Sequence, residues 1–277
     1  MITNEMRMQL RECIRNGDES KQRQFLLNLL IMLNKNIDFL ALYQMFEKNS
    51  FEEAEDPGNY RMYGAPYISE AFRWGNLRDR NGVAEDRLYY ALREICEQCP
   101  ECQDILEPDK PWVQVSNRLR EIAYDIFSKL QDDEEESSDL SQMYEYLMEF
   151  VSSSPTESGE YYSLREIGQL MVRLLDPDEG ALYDPCCGSG SLLIQAAVYR
   201  KTMHENGNFT ADDRLRLYGQ EMSPNAWKMA RMNFLMHDKT CAEAMRNCSF
   251  SSEALHRSIL DPHMSSHSPI LLSQTED

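Results

Sequence analysis

The chain has 277 residues, 42% of them apolar and 27% charged, a composition that suits a globular protein with two hydrophobic cores. Its 47 acidic residues outnumber 28 basic ones for a formal net charge of −19, which argues against a lone DNA binder held by phosphate contacts. A local basic groove, or cations supplied by a partner, stays open. No apolar run approaches the roughly 20 residues of a membrane span, and Asn4, Glu5 and Arg7 deny the N-terminus the apolar centre of a signal peptide. A cytoplasmic protein with no membrane contact is expected.

Residues 20–150 read as helical. Gln24–Phe46 carries Phe25, Leu29, Leu33, Ile37, Leu40 and Tyr43 at three- and four-residue spacing. Its richest run, Phe25–Leu33, is interrupted by Asn28 and reads as a core helix. Pro57, Gly58, Gly64 and Pro66 then break the chain into a loop bearing Tyr60, Tyr63 and Tyr67. Arg87–Cys99 resumes with Leu88, Ala91, Leu92 and Ile95 on one face. With no secretion signal, the eight cysteines read as thiols. Cys96, Cys99 and Cys102 resemble zinc ligands, but no fourth ligand follows at a suitable spacing, so they read as a helix end before Pro100 and no metal site is expected. Val115–Leu130 repeats the helical pattern with Leu119, Ile122, Ala123, Ile126 and Phe127. The acidic run Asp132–Glu136 marks an exposed connection before an amphipathic helix over Asp139–Phe150.

The pattern changes after the turn-rich segment Ser152–Gly159. Helix Leu164–Leu175, a turn at Asp176–Gly180, a strand at 181–184 and a helix at 192–203 follow in order. Strand Leu215–Gly219 and helix Asn225–His237 complete the series. Alternation of this kind predicts an α/β unit with a parallel sheet covered by helices, placed after a helical N-terminal domain.

The stretch Leu182-Tyr-Asp-Pro-Cys-Cys-Gly-Ser-Gly-Ser-Leu-Leu193 joins strand, glycine turn and helix N-terminus, where backbone N–H groups can approach a ligand. A dinucleotide fingerprint needs a third glycine where Leu193 stands and an acid about 20 residues on, and Glu221 falls well past that spacing. No Gly-Lys-Ser/Thr follows for a phosphate loop. Cys186 and Cys187 have no nearby His to activate a thiol. Asp184 at the strand end can face a cationic group, and Glu221 after the next strand can accept both hydroxyls of a ribose. These two carboxylates suit an aminosulfonium nucleoside, S-adenosyl-L-methionine, better than a pyrophosphate. A tight strand-to-helix turn with no ligand is the competing reading.

Three segments in order resemble the modification subunits of type I restriction–modification systems, the N6-adenine DNA methyltransferases. Gly159-Glu160-Tyr161-Tyr162-Ser163-Leu164-Arg165 is similar to the family's Gly-x-Tyr/Phe-Tyr-Thr-Pro-Arg segment, which closes over the methionine part of the cofactor. Asp184–Leu193 resembles its Asp-Pro-x-x-Gly-Ser/Thr-Gly-Gly-Phe-Leu loop. Tyr218-Gly-Gln-Glu221 with Met232-Asn-Phe-Leu-Met-His237 resembles its Gly-x-Glu … Met-Asn-x-x-x-His segment, whose acid holds the ribose. A looser likeness reaches back to Arg73, and beyond Asp238 the likeness stops.

The resemblance implies residues 1–150 as a helical domain and 151–248 as the cofactor half of a Rossmann-like methyltransferase domain, with 249–277 an irregular tail. It implies S-adenosyl-L-methionine as cofactor, contacted by Glu160, Tyr161, Tyr162, Ser163, Leu164, Arg165, Asp184, Gly188, Ser189, Gly190 and Glu221. It further implies specificity and restriction subunits as partners, a possible second modification subunit, and double-stranded DNA engaged only within that complex. The family's base-binding motif is Asn/Asp-Pro-Pro-Phe/Tyr, and no Pro-Pro pair occurs among the 277 residues. Asp261-Pro262-His263-Met264 lacks the second proline and the aromatic. No catalytic residue is assigned, and the chain is expected to be a truncated, inactive form or a cofactor-binding or assembly protein of the same descent.

Overall fold

The long apolar run near the N-terminus becomes a helix surrounded by its neighbours. In the computed structural model α1 spans Asn4–Arg15 and α2 spans Glu19–Glu47, each started by a side-chain cap. The Thr3 hydroxyl accepts from the Met6 N–H at 3.3 Å, and Asp18 accepts from the Lys21 N–H at 3.1 Å. The structure describes residues 3–16, 18–79, 82–99, 102, 105–106, 115–131, 136–153, 165–177, 180–204, 215–245, 249–250 and 270–271. Two units divide the chain, Met1–Glu149 and Phe150–Asp277.

In the first unit, α2 buries Phe25, Leu26, Leu29, Leu30, Ile31, Met32 and Leu33, which cover every side of the helix rather than one stripe. Such a helix belongs in a core. Contrary to the reading of its apolar run as too short, the helix is long and apolar enough to cross a membrane by length and composition, yet 67% of the relevant window is buried within the protein. It packs against α1, against α3 (Phe51–Ala54), against α5 (Glu85–Gln98) and against α6 (Asn117–Gln131). A buried polar step at Asn34, Lys35 and Asn36 interrupts the apolar surface. There Asn36 Oδ1 accepts from the Trp74 N–H at 3.2 Å, and the Trp74 indole donates to Ser128 at 2.9 Å.

The tyrosine-rich segment expected as loop contains α4 (Pro57–Met62), with Pro57 in its first turn, and follows α3; Ser50 and Asp56 cap the two helices. Tyr60 and Tyr67 pack with Phe39 and Phe46 at ring separations of 5.2–5.8 Å. Beside them Glu55 takes both 2.9 and 3.0 Å hydrogen bonds from Arg73, one of 2.5 Å from Tyr67 and one of 3.2 Å from Tyr43. Burial alone would raise the Glu55 carboxyl, but these donors together hold it below the ordinary carboxylate range. A short hairpin, β1 (Arg78–Asp79) and β2 (Gly82–Val83), precedes α5. Cys96, Cys99 and Cys102 are all buried, and burial raises the Cys96 thiol to about 11. No cluster of three or more metal-ligating side chains occurs among the described residues. Helix α7 runs Glu136–Ser153, starting earlier and ending later than its sequence pattern indicated.

The second unit opens with α8 (Arg165–Leu175), followed by β3 (Gly180–Asp184), α9 (Ser191–His204), β4 (Leu215–Gly219) and α10 (Pro224–Met245). After Leu175 the chain turns at Asp176, whose φ of 45° is the left-handed conformation common past helix ends, and the Tyr199 hydroxyl donates to its carboxylate at 2.7 Å. β3 and β4 pair in parallel, with Leu182 opposite Leu217 and Asp184 opposite Gly219. Both leucines lie in a core with Leu193, Ala196, Ala230 and Phe234. Two short strands extend the sheet to the order β5-β4-β3-β6. β5 (Ser249–Phe250) and β6 (Ile270–Leu271) come from the part expected to be irregular. Their backbones pair in parallel with β4 and β3, so both central strands have a neighbour on each side.

Candidate functional site

Because β3 and β4 are parallel neighbours in register, their carboxyl ends deliver Asp184 and Glu221 to the same end of the sheet. Crevices beyond the carboxyl ends of such strands are where ligands bind in open α/β sheets. The ladder continues past the strands, with the Gln220 N–H donating to the Asp184 carbonyl and the Cys187 N–H to the Gln220 carbonyl, both at 2.9 Å. Asp184 is 1% exposed, and its Oδ1 accepts from the Cys186 N–H at 3.1 Å. That bond makes the carboxylate part of the turn itself, as the competing reading required.

Gly188 and Gly190 adopt φ of 53° and 74°, a region that side chains with a Cβ enter only at a cost. Their surroundings differ. A Cβ on Gly188 would meet nothing within 4 Å, so the loop is open there, whereas one on Gly190 would lie 2.7 Å from the Phe234 ring of α10. The Gly190 carbonyl accepts from the Ile194 N–H at 3.1 Å and starts α9. The first-turn N–H groups of α9 thus have no carbonyl partner within the helix.

Glu221 ties the two strand ends together. Its Oε2 accepts from the Gly188 N–H at 3.0 Å and its Oε1 from the Ser223 N–H at 2.6 Å. A carboxylate has about four lone-pair sites, so two remain for further donors such as hydroxyls. Next to it the Tyr183 hydroxyl donates to Gln220 at 2.8 Å, and burial, with Cys186 and Asp184 nearby, raises the Tyr183 hydroxyl above its ordinary pKa.

Of the residues assigned from sequence, Asp184, Gly188, Ser189, Gly190 and Glu221 meet in this cluster. Glu160, Tyr161, Tyr162, Ser163 and Leu164 lie outside the described residues, and Arg165 opens α8 with only its backbone described. Cys186 is exposed and Cys187 buried. Gln220, Asn233 and Phe234, which the sequence placed in family segments without a role, and Ser223, which it did not single out, also build the loop. Asn233 had a signal: it is a polar residue in an otherwise apolar stretch of helix, and such a residue has a partner when buried.

The parallel sheet carries a glycine turn after β3 and an acid after β4, and a solved methyltransferase structure has the same fold. The type I restriction-modification methyltransferase subunit of Streptococcus thermophilus shares that fold at a TM-score of 0.61 and 20% identity, over 89% of this chain and 56% of that one.

Residues 135–268 match the family described as N-6 DNA Methylase. Among curated relatives, the HindI methylase subunit of Haemophilus influenzae is 38% identical over 95 residues, covering 34% of this chain and 20% of that protein. The MjaIX methylase subunit of Methanocaldococcus jannaschii is 25% identical over 201 residues, or 66% of this chain and 33% of the relative. The chain is thus similar to type I restriction-enzyme methylase subunits, and spans between a fifth and about half of the length of these three proteins. The family match continues to residue 268, past Asp238 where the motif likeness ended.

Proposed function

We propose that this chain binds S-adenosyl-L-methionine at the carboxyl end of the β3–β4 pair, as the cofactor portion of a DNA adenine-N6 methyltransferase subunit. The observation that carries the reading is Glu221: its carboxylate spans Gly188 and Ser223, beside a loop face with no atom within 4 Å of a Gly188 Cβ. The residues present fit the cofactor. Glu221 keeps acceptor sites for the ribose hydroxyls, Gly188 leaves the loop backbone open for close approach, and Asp184 puts negative charge beside the loop. The ligand would supply an activated methyl group, which in N6 methylation passes to an adenine amine. The protein's part in such a transfer is orientation and electrostatics.

The same reading assigns Glu160–Arg165 to the methionine end of the site and gives the subunit specificity and restriction partners, with duplex DNA met inside that cytoplasmic assembly. These 277 residues hold no Asn-Pro-Pro-Phe/Tyr segment to hold a flipped adenine. Alone, the chain binds cofactor without methylating DNA. That absence also favours a second reading, a non-catalytic cofactor-binding or assembly protein. Calorimetry tests the site: binding should fall sharply in Glu221→Ala and Asp184→Ala, and unchanged affinity in both sinks the assignment. Methyl transfer to duplex DNA by this chain alone would refute its inactivity. Transfer restored by adding the partner subunits would favour the first reading over the second.

A further inference from the structure

We infer that Asn233 is a positioning residue, which locks the Ser189–Gly190 peptide in the orientation the cofactor loop needs. The inference rests on the S-adenosylmethionine reading for its ligand, while the lock itself stands on contacts. Asn233 is 2% exposed on α10, among buried Ala230, Met232, Phe234, Leu235 and Met236. Its Nδ2 donates to the Ser189 carbonyl at 3.0 Å, while its Oδ1 has no partner among the described residues. An amide buried in an apolar helix face for packing alone would be a liability. That side-chain bond reaches 44 residues back, to the loop.

The bond falls where the backbone is least constrained by its own side chains. Ser189 is flanked by two left-handed glycines, and glycine crosses φ space at little cost, so the intervening peptides can flip. The Ser189–Gly190 peptide is held at both ends: Asn233 takes its carbonyl, and its N–H donates to the Cys187 carbonyl at 2.7 Å. Phe234, one residue along α10, closes against Gly190 from the same helix. With that peptide fixed, Gly188 presents its N–H to Glu221 at 3.0 Å. Releasing the Ser189 carbonyl would let the loop populate flipped forms in which the Gly188–Glu221 bond is lost. Apparent affinity would fall with the competent fraction.

Asn233→Leu tests this, because leucine keeps the branch at Cγ and suits the apolar surroundings while leaving the Ser189 carbonyl without its donor. Asn233→Ala is the second variant should leucine overpack. The expected result is faster amide exchange at Gly188 and Gly190, with β3 and β4 amides unchanged. S-adenosylmethionine binding should weaken roughly three- to tenfold, the loss of one buried hydrogen bond. A merely structural Asn233 would speed exchange across the whole sheet instead, and that outcome overturns the inference, as does unchanged exchange at both glycines. If the unsubstituted chain does not bind S-adenosylmethionine, the cofactor reading falls and the exchange data alone decide the lock.

Discussion

Gly188 and Gly190 share a backbone conformation and differ in what surrounds them, so alanine at each separates two costs. At either position a Cβ in the left-handed region costs about 1–2 kcal/mol. Gly188→Ala should cost little more than that, since its Cβ meets nothing within 4 Å. Gly190→Ala adds a methyl 2.7 Å from Phe234 Cε2 and 3.5 Å from the Ala230 Cβ. Phe234 is only 3% exposed and has little space to retreat into. Overpacking of this kind typically costs about 1–3 kcal/mol, so Gly190→Ala should lose about 2–5 kcal/mol in all. Amide exchange of β3 and β4 reads the opening energy of this unit whatever the helical unit does. Phe234→Leu removes the clashing ring edge, and the double variant should recover about 1–3 kcal/mol relative to additivity. Equal losses for the two glycine variants, or no recovery with Phe234→Leu, would refute the close packing of α10 on the loop.

Other perturbations address the remaining chemistry. Glu55 has a lowered folded-state pKa, so its contribution is present above the unfolded value of about 4.3 and is lost as pH falls through the folded value. Melting curves should therefore show Glu55→Gln less stable than the parent at neutral pH, with the gap closing on acidification; a gap constant down to acid pH would contradict the pairing with Arg73 and Tyr67. Mass spectrometry after brief alkylation at pH 8 should find Cys186 modified and Cys96 spared, since at about 11 only about one Cys96 thiol in a thousand is ionised. S-adenosylmethionine should slow labelling of Cys186, and rapid modification of Cys96 would contradict its burial. Trp74→Phe keeps the ring stacked 5.6 Å from Tyr124 but drops the indole bond to Ser128, and should cost about 0.5–1.5 kcal/mol by urea unfolding. No loss would show that this bond contributes nothing.

The helical and α/β parts were legible because their apolar spacings differ, and the parallel sheet followed from strands that alternate with helices. Asp184 and Glu221 were placed together by one consequence of parallel pairing: successive strands end on the same side. What sequence left out was long-range polar geometry. Nothing local says that Glu221 would accept from Gly188, or that Asn233 would reach Ser189 across 44 positions. The short helix Pro57–Met62 escaped notice because Pro57 and the nearby glycines read as loop, although Pro57 sits in the first turn, where its missing N–H matters least. β5 and β6 were invisible for another reason. A two-residue strand has no periodicity, and its pairing is set by the neighbouring strand.

The Gly188–Glu221 cluster is proposed as an S-adenosylmethionine site. An NMR titration of the labelled chain, following the backbone amides of Gly188, Ser189, Gly190 and Ser223, tests it most directly. Saturable shifts are expected at those four amides, and they should be lost in Glu221→Ala. Shifts confined to other parts of the chain, or none at millimolar ligand, would contradict it.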